Sequence, residues 1–296
     1  NNKLGQLMRK NNMPLVSIVM RNHNAYHLTS VALESLFDMT YSNFNIIVVN
    51  DGTTDNSGEE LKTNFTDIIL LESKKYIEYC KGLNLGINYA LSNNAEYVFV
   101  VNNDTKDFSK NYLEDIVNAF NENKNIGLVG SLVYNYDGKE LWNGNPKDKL
   151  GIPMETPTEG YVIKKDVFEK IGLLDEKLVR YFEDIDFIIR LRNAGFETLA
   201  IDTVSFSHLC NGTSSKQAFI PNYYRPRNLI WFMKFYCKNE TLAWKLKKYV
   251  SYSLAHKSRV LVFVKKMELH KVIIAIVAFF YGTFIGLITQ WKSQSK

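Results

Sequence analysis

Apolar residues along this chain follow two rhythms. In one they run together for four to six positions: Leu15-Val16-Ser17-Ile18-Val19-Met20, Asn45-Ile46-Ile47-Val48-Val49, Ile68 to Leu71 and Tyr97 to Val101. Such runs, apolar on both faces, predict strands buried inside a sheet. In the other they recur at helical spacing, at Leu28, Ala32, Leu33, Leu36 and Phe37, again from about Tyr79 to Leu91, and at Leu113, Ile116, Val117 and Phe120. The two rhythms alternate, which predicts an α/β fold with a doubly wound, mostly parallel sheet and right-handed crossovers. The pattern loosens after Ile126 to Tyr134, and Asp137-Gly138 reads as a hairpin turn. Gly160 to Ile163 returns as a strand, Asp166 to Ile171 as a short helix, and Glu183 to Asn193 as a longer helix closed by Gly195. Thr198 to Ile201 is the last strand expected.

Polar residues gather where the strands end: Asn22 to Asn24, Asn50 to Asp55, Asn102 to Asp104, and His208. Ligands of open α/β sheets bind in the crevice beyond the carboxyl ends of the strands, so these clusters predict one pocket. Asp104, flanked by the amides of Asn102 and Asn103, suits a hard cation that completes its shell with phosphate oxygens and water. The alternative is an Asx-rich turn capping a helix that starts near Ser109. Asp51, in a turn bounded by Gly52, suits hydrogen bonding to the imide edge or ribose of a nucleotide; otherwise it is a turn residue, with Asp55 capping the next helix. His208 is read as a second metal or diphosphate contact, against the plain alternative of a structural histidine.

Glu183-Asp184-Ile185-Asp186 places carboxylates in the first turn of a helix, where its dipole favours the charged form and where acids also occur for stability alone. Asp184 and Asp186 point different ways, so one of them enters the pocket, and Asp184 is the better placed. A single base suits a displacement in which an acceptor hydroxyl loses its proton as it attacks. Arg225, Arg227 and Asn228 follow the pair Tyr223-Tyr224, and a guanidinium there suits a diphosphate; the alternative is an exposed basic face. The segment from Trp142 to Thr158, with Pro146, Gly151, Pro153 and Pro157, reads as a long loop across the mouth of the site, an acceptor-side element.

Charged residues make up 23% of the 296 and hydrophobic residues 46%, a composition that excludes a mainly disordered chain. The net charge of +5 is unevenly placed: Lys238, Lys245, Lys247, Lys248, Lys257, Arg259, Lys265 and Lys266 crowd the C-terminal region against Glu240 and Glu268. Beside apolar sequence, that bias favours a membrane surface, and no nucleic-acid module occurs. Val272 to Trp291 carries no charge and as a helix would be about 30 Å long, enough for a surface helix, an oligomer contact, a membrane span or a buried core helix. Cys80, Cys210 and Cys237 have neither disulfide nor zinc spacing, and residues 1–14 carry no secretory signal, so the expected setting is cytosolic. The expected organisation is a lead over 1–14, a catalytic domain over 15–222 divided near residue 105 into nucleotide and acceptor halves, and a helical region over 223–296.

Six motifs, in order, resemble those of glycosyltransferase family 2, inverting enzymes of the GT-A fold, and of its rhamnosyltransferase-like branch in particular. Val16-Ser17-Ile18-Val19 with Asn22-His23-Asn24 is similar to the opening strand and Asn-Tyr-Asn, and Val49-Asn50-Asp51-Gly52-Thr53-Thr54-Asp55 to Val-Asp-Asp-Gly-Ser-Thr-Asp. Asn84-Leu85-Gly86-Ile87 matches Asn-x-Gly-Ile, and Asn102-Asn103-Asp104 stands at Asp-x-Asp, with asparagines at 50 and 102 where the wider family carries acids. Gly172 to Glu176 with Tyr181 to Asp186 resembles Gly-Gly-Phe-Asp-Glu and the Glu-Asp-x-Asp helix, and His208, Gly212 and Ser214 the His-x-x-Gly-x-Ser element.

The resemblance implies that Asp184 is the general base and that Asp104, with His208, holds Mn²⁺ or Mg²⁺. It places Asn22, Asn24, Asp51, Asn84, Asn103 and Arg227 on a dTDP- or UDP-sugar donor, and Trp142 and Glu183 on the acceptor side. The expected activity is transfer of a sugar, rhamnose among the candidates, to a glycan or lipid-linked acceptor at the inner membrane face, with a homodimer also possible. The rivals are a nucleotide-sugar pyrophosphorylase, which needs a Gly-rich loop that Arg21 to Leu28 lacks, and a membrane scaffold, which gives Asp104 and Asp184 no reason to converge.

Overall fold

The computed structural model describes residues 13–142, 160–209, 218–256 and 266–294. One sheet runs in the order β3-β2-β1-β4-β8-β6-β9-β5. Its strands are β1 Val16–Asn22, β2 Phe44–Asp51, β3 Ile68–Ser73, β4 Tyr97–Val101, β5 Thr105–Lys106, β6 Ile126–Asn135, β7 Glu140–Trp142, β8 Tyr161–Lys164 and β9 Glu197–His208, with β7 joined to β6. The first four long strands are mutually parallel, as are β6 and β9. β8 lies antiparallel between β4 and β6, and β7 on β6 and β5 on β9 are antiparallel too, so the sheet is mixed.

Side chains alternate across the sheet, and both faces are apolar. Ile18, Met20, Ile46, Val48, Phe99 and Val101 meet helices α1 Tyr26–Phe37 and α4 Tyr112–Glu122 through Leu33, Leu36, Leu113, Ile116 and Phe120. On the other face Val19, Ile47, Val98 and Val100 meet α3 Tyr79–Ser92, α5 Lys165–Ile171 and α6 Glu183–Asn193 through Leu83, Ile87, Phe168, Phe187 and Leu191. A period of two places successive side chains on opposite faces, so continuous apolar runs give strands covered on both sides. Helix α2, Ser57–Asn64, has Asn56 rather than the expected Asp55 at its N-cap; Asp55, one residue earlier, receives the Ser57 N–H on Oδ1 at 3.0 Å.

Two expectations are corrected. The last strand is not the four residues Thr198 to Ile201 but twelve, with a register jump against β6 that moves the partner of Ser131 and Leu132 from Ile201 to Ser205. His208 therefore ends the strand rather than following it. The helix expected near Ser109 starts at Tyr112. Ser109 instead exchanges hydrogen bonds with the backbone of Ser205, and the turn at Asn102 to Asp104 leads into β5, which pairs with the end of β9.

Beyond the sheet come α7 Phe219–Tyr236, α8 Leu242–His256 and α9 Leu269–Ile288. Helix α9 is long and apolar enough to cross a membrane, and 22% of its most apolar stretch is buried, so it is not a buried core helix. It rests on α7 through small residues: a Cβ on Gly282 would stand 2.1 Å from the Tyr223 carbonyl oxygen. Gly282→Val should therefore push the helices apart and cost about 1–3 kcal/mol in urea denaturation of the full chain.

Candidate active site

The strand ends are tied by a chain of amides. Asn103 donates to Thr29 Oγ1 (2.9 Å), Thr29 to Asn22 Oδ1 (2.8 Å), Asn22 to Asn50 Oδ1 (2.8 Å) and Asn50 to Thr53 Oγ1 (3.1 Å). Asn50 accepts and donates in that chain, which an ionised aspartate does not do. Asn24, in the left-handed region at φ 50°, exchanges two hydrogen bonds with Thr54, joining the loops after β1 and β2. Asp51 is fully buried; Oδ2 receives Arg21 Nε at 2.8 Å and Oδ1 the Ile77 N–H at 2.6 Å. Gly52 follows at φ +52°, where a Cβ would lie 2.1 Å from the Tyr76 backbone nitrogen. Tyr76 in turn lies against the Arg21 guanidinium and the His23 ring.

At the end of β4, Asp104 Oδ1 lies 3.0 Å from His208 Nε2, a contact between residues 104 apart in sequence that the β5–β9 pairing creates. Burial would raise the Asp104 carboxyl, but the hydrogen bond and charge of His208, its own backbone and Arg180 outweigh that and hold it below the ordinary range. A carboxylate and an imidazole leave the remaining positions of a hard cation to phosphate oxygens and water, so the pair fits Mn²⁺ or Mg²⁺. Among the described residues no cluster of three or more His, Cys, Asp or Glu side chains offers a fuller cage.

Helix α6 enters the site at its N-terminus through a strained loop. Val179, Tyr181 and Phe182 all have left-handed φ, at 66°, 71° and 73°. Each such residue costs about 1–3 kcal/mol, so the surroundings must impose the shape. Helix α7 does so: Asn228 Nδ2 donates to the carbonyls of Leu178, Arg180 and Tyr181, and Arg227 Nη2 to those of Lys177 and Leu178. Arg227, read from sequence as a diphosphate contact, is buried against Tyr224 and Trp231 and grips this loop. Asn84, read as a donor residue, likewise bonds Leu174 and Glu176 at the start of the same segment.

The loop delivers Arg180, Glu183 and Asp184. Arg180 stacks on Tyr79 and Tyr181, and its charge acts on both Asp104 and Glu183. Tyr79 donates to Asn102 Oδ1 at 2.9 Å, while the charges of Glu183 and Asp184 reach its phenol. One cation and one tyrosine thus connect the metal-type acid with the α6 acids. Asp184 is half-buried and its Oδ1 receives the Ile185 N–H. Asp186 faces the other way, fully buried, against Arg190, Tyr236 and Ser293.

Burial, then the neighbouring Asp184 charge, pushes the Glu183 carboxyl up to about 8, against opposition from backbone N–H groups and Arg180. The folded chain therefore keeps a proton that the unfolded chain has lost, and stability falls as pH rises from the ordinary glutamate range toward 8. Glu183→Gln should remove that fall, worth no more than about 1.4 kcal/mol per pH unit, in urea titrations at pH 5 and pH 8.

Arg21, Tyr79 and Arg180 went unread as site residues in the sequence, which holds no periodic or motif signal for them, while Arg225, read with Arg227 as suited to a diphosphate, stacks on Tyr181. Trp142 ends β7, and residues 143–159 of its loop, with Cys210, Gly212 and Ser214, lie outside the described residues.

The glycosyl transferase family 2 profile matches residues 17–186. An uncharacterised glycosyltransferase of Rickettsia typhi is 28% identical over 210 residues, 66% of this chain and 62% of its own length. The dTDP-rhamnosyl transferase RfbF of Shigella flexneri is 22% identical over 52% of this chain and 59% of its own. The chain thus spans about three-fifths of the length of these two relatives. The mannosyltransferase PcManGT from Pyrobaculum calidifontis, solved with GDP-Man and Mn²⁺, superimposes with a TM-score of 0.58 at 12% identity, over 97% of this chain and 94% of that one. S. aureus TarS 1-349 gives 0.57 at 16% over 92% and 81%. The mixed, curled sheet is the GT-A fold of those transferases. By the profile match across more than half of its residues, the chain belongs to glycosyl transferase family 2.

Proposed function

We propose that the chain moves a sugar, with inversion at the anomeric carbon, from a dTDP- or UDP-linked donor to a glycan or lipid-linked acceptor at the inner face of the cell membrane. The observation that carries this reading is the link from Asp104 through Arg180 and Tyr79 to Glu183 and Asp184. It supports one crevice with an anion-side acid at one end and a proton acceptor at the other. Asp184 takes the acceptor hydroxyl proton while that oxygen attacks the anomeric carbon and the nucleoside diphosphate departs on the opposite side. Asp104 and His208 would hold Mn²⁺ or Mg²⁺, which supplies positive charge for the departing diphosphate.

Asp51, fixed by Arg21 and the Ile77 N–H, frames the nucleoside end together with Asn22, Asn24 and Asn103. Asn84 and Arg227 act on the site through the loop they hold, and Trp142 and Glu183 stand on the acceptor side. Rhamnose is the first sugar to test, because RfbF is named a dTDP-rhamnosyl transferase; TarS is also solved with UDP-GlcNAc and PcManGT with GDP-Man.

A thermal-shift screen of dTDP-, UDP- and GDP-sugars with Mn²⁺, Mg²⁺ or EDTA should give one donor class that raises the melting temperature and needs the metal. NMR of the product should show the inverted anomer. Retention, or no donor at all, would reject the reading.

The membrane side of the proposal is supported by α9, whose Ile273, Val277, Phe280, Phe284 and Leu287 are exposed beside the lysine-bearing α8. Flotation with phosphatidylglycerol vesicles, and weaker flotation with neutral ones, is the expected result. A dimer by light scattering with no flotation would assign that face to a second copy.

A further inference from the structure

Hydrogen-bonding groups are left over at one place beside the acids of α6. Tyr181 Oη, Glu183 Oε2, and Nε and Nη1 of Arg225 are all buried and have no hydrogen-bond partner among the described residues. Buried polar groups are nearly always satisfied, because each unsatisfied one forgoes its bonds to water without replacement. Here several gather on one ring: the Arg225 guanidinium lies 4.2 Å above Tyr181 and that of Arg180 5.5 Å from the same ring. Arg180 forms no salt bridge among the described residues, although it lies within electrostatic reach of Glu183 and Asp104. A stacked guanidinium is already oriented, so it presents its N–H groups to an anion with little further ordering.

The leftover set is mixed. The leftover N–H groups of Arg225, with the Arg180 charge over the same ring, suit an anionic acceptor, while the tyrosine and glutamate suit a hydroxyl group. A molecule with both is a phosphorylated sugar. Two cations match a phosphate, which carries more charge and more acceptor oxygens than a carboxylate.

We propose that Arg180 and Arg225, both stacked on Tyr181, form a subsite for a phosphate carried by the acceptor, which makes the acceptor a sugar phosphate or a sugar on a phosphorylated lipid. This rests on the glycosyltransferase reading and narrows its acceptor. Arg225 stands two positions from both Tyr223 and Arg227, whose carbonyls meet Gly282 and Gly286 of the apolar α9, so it leaves α7 on the side away from that helix, over Tyr181. The lipid form of the acceptor rests on the membrane reading above and is separated from the free sugar phosphate by the flotation test of that reading.

The test uses the full chain saturated with UDP or dTDP and Mn²⁺, so that the donor's diphosphate position is filled. Calorimetric titration with dodecyl phosphate and with dodecyl maltoside, both below micelle formation, then reads the subsite. The native chain should bind dodecyl phosphate at least tenfold more tightly than the maltoside. Arg180→Gln and Arg225→Gln should each lose tenfold or more of that affinity, and Arg225→Gln should leave maltoside and nucleotide binding within threefold. Arg225→Lys, which keeps the charge but not the planar stack, should lose less and stands in if the glutamine variant fails to fold.

Equal affinity for the two amphiphiles, or unaltered phosphate binding in both glutamine variants, overturns the proposal. So does a loss confined to UDP or dTDP, which would return the cations to the donor. Failure of the parent reading looks different, since the native chain would then bind no nucleotide at all.

Discussion

Asp184→Asn should lower sugar transfer by about 10²–10⁴-fold and leave donor affinity within a factor of two, the range expected when a positioned base is removed. The two neighbouring carboxyls at the start of α6 are not equivalent. Glu183, pushed up to about 8 by burial and by the charge beside it, holds its proton at neutral pH and cannot accept another. In the proposed reaction the base is then Asp184, half-buried at the mouth of the helix with one oxygen on the Ile185 N–H. Asparagine keeps the size and that hydrogen bond but has no basic oxygen. Initial rates of transfer and calorimetric donor titration check both halves of the expectation. More than a tenth of the native rate in the variant would place the base elsewhere. Glu183→Gln, which preserves the neutral form, should lose less than Asp184→Asn does.

Two positions on, Asp186→Asn should have the opposite signature, a stability loss of about 3–5 kcal/mol. Its carboxylate is fully buried and receives Arg190 Nε at 2.8 Å, Tyr236 Oη at 2.6 Å and Ser293 Oγ at 2.6 Å. Arg190 is itself 2% exposed and continues to the carbonyls of Ile171 and Leu173. Without the aspartate charge that guanidinium stays buried and uncompensated, which is the expensive way to break such a pair. Three parts of the chain meet there, α6, α7 and the segment after α9, so the loss should appear as a single shift of the urea midpoint. A loss under 1 kcal/mol would mean that water reaches Arg190 when the charge is gone.

The strand–helix alternation of the first half was legible because apolar runs bounded by Asn, Asp and Gly carry both the period and the breaks. The length of β9 was also written in the chain: Val204, Phe206 and His208 alternate with Thr203, Ser205 and Ser207, and the first set is buried. It was missed because the polar half of that alternation resembles a loop. The pairing of Asp104 with His208 followed from ordered motifs, although nothing local places residues 104 apart in contact. Asn84 and Arg227 were legible as residues of the site but not as clamps. Their partners are carbonyls in a left-handed segment, and no pattern of side chains announces a backbone bent that way. Arg180 was hidden for a related reason, and the place of Arg225 with it: both gain their meaning from one tyrosine that the bend turns toward them.

The three bonds from a single amide at Asn228 have a consequence for how the protein can be divided. The segment shared most plainly with its relatives stops at residue 186, yet the bend that aims its acids is enforced from 42 positions further along the chain. A fragment cut after β9 would retain the whole of that matched segment and lose the brace. Its backbone at 179–182 would relax toward right-handed geometry and carry Asp184 with it, so an active minimal enzyme must include α7.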